Sequence, residues 1–77
     1  DESMFEKLKL KKQYKKCLLE IEQLEAKRER PQAAIVEAIL TNSTPSDDDT
    51  DYFNMYTREI NKRRERLREI KAKLDNV

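Results

Sequence analysis

The sequence predicts an all-α fold, an antiparallel coiled-coil helical hairpin. Two runs of seam residues, spaced alternately three and four apart, predict two helices that pack against each other. An acidic stretch rich in Ser, Thr and Pro separates the two runs. Of the 77 residues 43% are charged, and the chain contains no glycine and no tryptophan. Because a sheet protein needs turn residues at short intervals, this composition favours long, surface-rich helices.

The first arm is predicted over residues 3–41. Its seam consists of Leu10, Tyr14, Cys17, Ile21 and Leu24 and continues in phase to Ile35. The residues before Pro31 offer no Ser, Thr, Asp or Asn that could cap a new helix, which favours one long helix kinked at Pro31. An interior proline costs about 3 kcal/mol, so the alternative is a break there and a short third helix over residues 33–40 at the tip.

An acidic connector is predicted over residues 42–50, where apolar residues are absent and turn and capping residues gather. Ser46 or Asp47 can cap the next helix, and the following aspartates suit the positive end of its dipole. Thr44 precedes a proline and Ser46 precedes three aspartates, which are two kinase-recognition patterns. Both residues are therefore candidate phosphorylation sites of a phosphoprotein.

The second arm is predicted over residues 51–77 and carries the clearest seam of the chain. The seam residues are Phe53, Tyr56, Ile60, Arg63, Leu67, Ile70, Leu74 and Val77. A connector of this length lets the arms fold back on each other, whereas parallel arms would need a much longer crossover.

Two registers remain open for this pairing. If the first helix reaches Thr41, Leu24 faces Leu67 and Cys17 faces Leu74, and Arg28 stacks near Arg63. If the chain turns at Pro31, Tyr14 faces Leu67 and Leu10 faces Ile70. The first register brings two arginines together, which is unfavourable unless Glu25 or Glu29 compensates.

Apolar residues outside the seam are the candidate partner-binding residues. They are Phe5, Leu8, Leu18, Val36, Ile39, Leu40, Tyr52 and Met55, and the charged seam residue Arg63 is added to them. Residues near the tip either widen a three-helix core or form one exposed patch that contains Val36, Ile39, Leu40, Tyr52 and Met55. Arg63 either specifies a partner through a charged contact or extends to solvent along its aliphatic stem.

Catalysis has little support in the sequence, and we expect no enzyme, cofactor or metal site. The chain has no histidine, no glycine for a phosphate-binding loop and a single cysteine, Cys17. No apolar run approaches the roughly 20 residues that cross a bilayer, so no membrane insertion is expected. A single cysteine fits a reducing compartment, which points to an intracellular protein of the cytoplasm or nucleus. The absence of an initial methionine suggests a segment of a larger protein.

These features predict a protein–protein interaction or assembly (scaffold) module that uses its coiled-coil faces. The partner is another protein or a second copy, and a homodimer is one of the expected states. The architecture is similar to the antiparallel coiled-coil fingers of Rho-type effectors, which implies a small GTPase as partner and a signalling role in one alternative. In the other alternative, the lysine-rich face around Lys7 to Lys16, with Lys62 to Arg66, binds nucleic acid. Glutamates among these residues and the lack of interleaved aromatic residues argue against that second alternative.

Overall fold

A computed structural model describes residues 2–77, and Asp1 lies outside the described residues. The described residues form two helices and no strand: α1 spans Glu2–Leu40 and α2 spans Asp47–Asp75. The helices pack against each other as a hairpin that measures 60 × 17 × 15 Å. The all-helical prediction is therefore confirmed.

The first helix continues through Pro31 without a break. Residues 33–40, which the alternative prediction assigned to a separate third helix, belong to α1. Pro31 lies on the seam and is buried, in a groove that also includes Asp49 and Tyr52 of the first turns of α2. A proline cannot donate a backbone hydrogen bond, and burial of its ring offsets part of the free energy that is lost with that bond.

A left-handed turn ends α1. Asn42 has φ of 57°, and its amide donates to the Ile39 carbonyl oxygen at 3.2 Å. The Ser43 amide donates to the Ala38 carbonyl oxygen at 2.7 Å. These two bonds form a Schellman motif, in which the left-handed position is usually glycine and sometimes asparagine. Because this chain has no glycine, Asn42 takes that position.

Ser46 begins α2 as its N-cap. Its hydroxyl oxygen accepts a hydrogen bond from the Asp49 amide at 3.1 Å, and Asp47, Asp48 and Asp49 occupy the first turn. A serine cap typically contributes about 1 kcal/mol to helix stability. The capping bond starts the helix at Asp47, so the irregular connector is shorter than the predicted 42–50 stretch.

The core is a single row of side chains between the helices. Its buried members are Leu10, Cys17, Ile21, Ile60 and Ile70, and Tyr14, Leu24, Leu67 and Leu74 pack against them. All of these residues lie on the two predicted seams. Val77 also fits the spacing, but it is exposed because α2 ends at Asp75.

Contacts between the helices pair later residues of α1 with earlier residues of α2. The Cys17 thiol donates to the Arg63 carbonyl oxygen at 3.2 Å, and Arg28 Nη1 donates to Thr57 Oγ1 at 3.1 Å. Cys17 thus lies about three helical turns from Leu74, its partner in the first predicted register. That register is wrong, and the contacts follow the second one closely although α1 does not break.

This register leaves the end of α1 beyond the start of α2. Pro31 is level with the first turns of α2. The nine residues of α1 that follow it extend roughly 13 Å further. The connector returns along this segment, and Pro45 in it is half-buried.

Candidate interaction surface

Most of the predicted seam residues pack together between the two helices. Leu10, Cys17, Ile21, Ile60 and Ile70 are buried, and Tyr14, Leu24, Ile35, Phe53, Tyr56, Leu67 and Leu74 are half-buried. Their apolar surface is used within the hairpin. The surface that remains available for other contacts therefore lies outside the seam.

Arg63 is held by two glutamates, one on each helix. Its Nε lies 3.3 Å from Glu20 Oε2, and its Nη1 lies 2.9 Å from Glu59 Oε1 and 3.1 Å from the Glu59 carbonyl oxygen. The hydrogen bond that Arg63 donates to the Glu59 carboxylate raises the pKa of Arg63 above its ordinary value. Arg63, a candidate partner-binding residue, thus has its charge neutralised inside the hairpin.

Glu59 is expected to make the stability of the hairpin sensitive to acid. The hydrogen bond from Arg63 and then the charge of Lys62 hold the pKa of Glu59 below its ordinary value. A carboxyl with a lowered folded-state pKa stabilises the fold above its unfolded-state pKa, and this contribution disappears as the pH falls through the folded-state pKa. We expect Glu59→Gln to lose less stability than wild type between neutral and acidic pH in urea titrations. Equal losses in the two proteins would show that this contact contributes nothing to acid sensitivity.

Arg28 is the second seam arginine, and it has no carboxylate partner among the ion pairs of the described residues. Its guanidinium carbon lies 5.5 Å from the centre of the Phe53 ring, and its Nη1 donates to Thr57. Its Nε is buried without a hydrogen-bond partner in the described part of the chain. The contact between Arg28 and Arg63 that the first predicted register implied does not form, because the observed register places Arg28 beside Phe53 and Thr57.

Exposed apolar side chains occur near the amino-terminal end of α1. Phe5 and Leu8 line a shallow groove with Lys9 and Lys12, and 72% of Phe5 is exposed. The groove is therefore lined by two apolar and two basic side chains.

A second groove lies near the carboxyl-terminal end of α1. Val36 and Leu40 line it together with Ala33. Its charged lining residues are three glutamates and one arginine: Glu25, Glu29, Glu37 and Arg28. Leu40 is 78% exposed, and the neighbouring Ile39 is exposed as well. This groove combines apolar side chains with carboxylates, the opposite charge to the first groove.

Tyr52 lies in a third groove with Lys27, Arg30 and Pro31, and its ring stacks on Tyr56 with centroids 6.3 Å apart. No residue of this groove lines the groove of Val36 and Leu40. The predicted single patch is therefore divided between two grooves. Of the other candidates, Met55 and Leu18 are exposed.

Many of the basic residues of α2 form ion pairs with carboxylates. Arg64 lies 3.6 Å from Glu25 of α1, Arg68 lies 2.7 Å from Glu65, and Lys62 lies 3.5 Å from Glu59. Lys16 and Arg66 line one small groove, and they share it with Glu20. The two basic segments are thus close together, but glutamates lie within them.

Thr44 and Ser46 are exposed in the connector and at the start of α2. The Ser46 hydroxyl also donates to Asp49 Oδ2 at 2.9 Å, so it forms part of the cap. Within residues 2–77 no group of three or more His, Cys, Asp or Glu side chains is arranged to hold a metal ion. Neither helix in this range has an apolar stretch that could span a membrane.

Sequence reasoning missed the glutamates that hold Arg63. Glu59 precedes Arg63 by four residues on one helix, a spacing that indicates an ion pair without a structure. Glu20 belongs to the other helix, so its contact depends on the register. Comparisons of the chain with protein-family models, curated proteins and solved structures found no match.

Proposed function

We propose that this hairpin is an antiparallel coiled coil that works as a protein interaction or assembly module. The supporting observation is the exposure of large apolar side chains on a fully formed helix, at Phe5, Leu8, Val36 and Leu40 of α1. Single exposed apolar residues are common on protein surfaces. Here they occur in two groups that each line a groove, which is typical of a contact surface.

Charge supports a protein partner over nucleic acid. Arg63 and Arg64 of α2 are engaged by Glu20, Glu25 and Glu59, so a phosphate would have to displace carboxylates from these two arginines. The Val36 groove is lined by three carboxylates, those of Glu25, Glu29 and Glu37, and by one arginine, so its net negative charge disfavours phosphate. Apolar contacts flanked by charges instead favour a helix or peptide surface, with specificity from the charges.

The test compares the wild-type hairpin with the double variant Leu8→Asp, Leu40→Asp. Cross-linking in cells that produce each protein identifies bound chains, and purified components then give the affinities. We expect the variant to bind its partner at least about tenfold more weakly, because two apolar side chains are lost from the contact.

Met55→Asp provides the matched control, since Met55 is exposed on α2 and lines neither groove of α1. Circular dichroism must show equal helix content in all three proteins. If wild type and the double variant bind the same chains with equal affinity, the surface of α1 is not an interaction site.

A further inference from the structure

The outward side of α1 carries charge of one sign near its amino-terminal end. Successive residues turn about 100° around a helix, so positions more than about 90° from the seam face away from α2. Between residues 5 and 19 the apolar residues at these positions are Phe5, Leu8 and Leu19. The others are five lysines: Lys9, Lys11, Lys12, Lys15 and Lys16. All of these residues are exposed, and together they are called the outer lysine face.

The lysines of this face have no counter-charge within the hairpin. The one carboxylate between residues 5 and 19, that of Glu6, belongs to the seam side of the helix. No ion pair of the described residues includes a lysine of the outer lysine face, whereas Arg63 and Arg64 of α2 are both paired. Further along α1 the outward positions include Glu22 and Glu29, so the positive face ends after Leu19.

Charge is also divided along the whole hairpin. The connector end, residues 22–60, holds nine Asp or Glu and four Lys or Arg. The opposite end, residues 2–21 and 61–77, holds 13 Lys or Arg and six Asp or Glu. In a molecule 60 Å long this division directs an electric field along the long axis. An anionic surface therefore attracts the basic end and repels the connector end.

We propose that the outer lysine face binds the surface of a membrane that contains anionic lipids. The lysine ammonium groups contact the charged headgroups. Phe5 and Leu8, which share a groove with Lys9 and Lys12, enter the boundary between headgroups and acyl chains. The inference goes beyond the proposed function, because it adds a lipid surface to the protein partner. The groove of Val36 lies at the repelled end and stays accessible.

The composition of the face favours lipid over other anionic partners. Protein interfaces are depleted in lysine relative to the rest of the protein surface. Nucleic acid offers phosphates but no apolar layer for Phe5 and Leu8, whose side chains are 72% and 55% exposed. A helix face that combines lysines with Phe and Leu is typical of segments that lie on anionic membranes.

Removal of lysines tests the electrostatic part of the contact. Wild type should sediment at low salt with vesicles of phosphatidylcholine and phosphatidylserine, but not with pure phosphatidylcholine. Each lysine near such a surface contributes about fivefold in affinity, so the double variant Lys12→Gln, Lys15→Gln should bind the mixed vesicles about 30-fold more weakly. Lys62→Gln, Lys73→Gln is the matched control, since it removes the same charge from exposed positions of α2 and should lose much less. Equal losses in the two double variants would show that net charge alone attracts the protein, and would overturn the proposal.

The double variant Phe5→Ser, Leu8→Ser tests the apolar part. We expect it to bind the mixed vesicles at least about tenfold more weakly, because two apolar side chains no longer leave water. Its binding to duplex DNA should equal that of wild type. Helix content by circular dichroism should be unchanged, since both residues are exposed. If wild type bound DNA as tightly as the vesicles and the two substitutions affected neither, the face would be a general polyanion site and the proposal would be wrong.

Binding to lipid and binding to a protein can fail separately. Leu40 lies about 42 Å along α1 from Lys12, so Leu40→Asp should leave vesicle binding unchanged. Wild type that does not sediment with the mixed vesicles at low salt would overturn the lipid proposal, and a protein bound through Leu40 would still support the interaction function. If that protein were also lost in Lys12→Gln, Lys15→Gln, an acidic protein would be the occupant of the outer lysine face.

Discussion

Replacing Ile60 by aspartate is expected to unfold the hairpin at neutral pH. Ile60 has 0% exposed surface and belongs to the core cluster that also contains Cys17 and Ile21. Burying an unpaired carboxylate costs several kcal/mol, a large share of the total stability of a small domain. Far-UV circular dichroism in solution should therefore show loss of most helix content.

Two control variants isolate the burial effect at this position. Ile60→Val keeps an apolar side chain and should cost only about 0.5–1.5 kcal/mol in urea denaturation. Met55→Asp introduces the same charge on an exposed part of the same helix and should retain the fold. A helical Ile60→Asp protein would mean that packing between α1 and α2 does not maintain the helices.

Replacing Pro31 by alanine is expected to stabilise the hairpin by about 1 kcal/mol. Proline is about 3 kcal/mol less favourable than alanine inside a helix. Two effects oppose this gain. Alanine removes two buried ring carbons, which costs about 0.8 kcal/mol each, and it slightly raises the conformational entropy of the unfolded chain. The net increase in the free energy of unfolding should raise the melting temperature by about 4–8 °C.

Pro45→Ala is the matched control, because Pro45 lies in the connector and no helical hydrogen bond can form there. It should give no such increase. A lower melting temperature for Pro31→Ala would show that the proline ring contributes more through its packing against α2 than it costs the backbone.

Local sequence signals were sufficient to predict the two helices and the face of each that packs against the other. The spacing from Leu10 to Leu24 and from Phe53 to Leu74 indicates which side of each helix is apolar. This apolar side depends only on residues of the same helix. The cap at Ser46 and the ion pair of Glu59 with Arg63 are also local.

The register depended on interactions that no local pattern encodes. A heptad seam fits its partner equally well after a shift by one repeat, so the spacing alone could not place Cys17. The prediction linked a first helix that reaches Thr41 to a register in which Leu24 faces Leu67, whereas the connector returns along the end of α1 and brings the first turns of α2 level with Pro31. The same register explains why Tyr52 lines a different groove from Val36 and Leu40.

A hairpin with both chain ends opposite its connector has a definite mechanical behaviour. Tension applied between residues 2 and 77 would open the seam like a zipper, and the layer around Leu10 and Ile70 would separate before the layer around Cys17 and Ile60. Tension between the connector and either chain end would instead run along a single helix, so the backbone hydrogen bonds of that helix would carry the load and the seam would not be pulled apart. The direction of pull therefore determines whether the seam or one helix yields first.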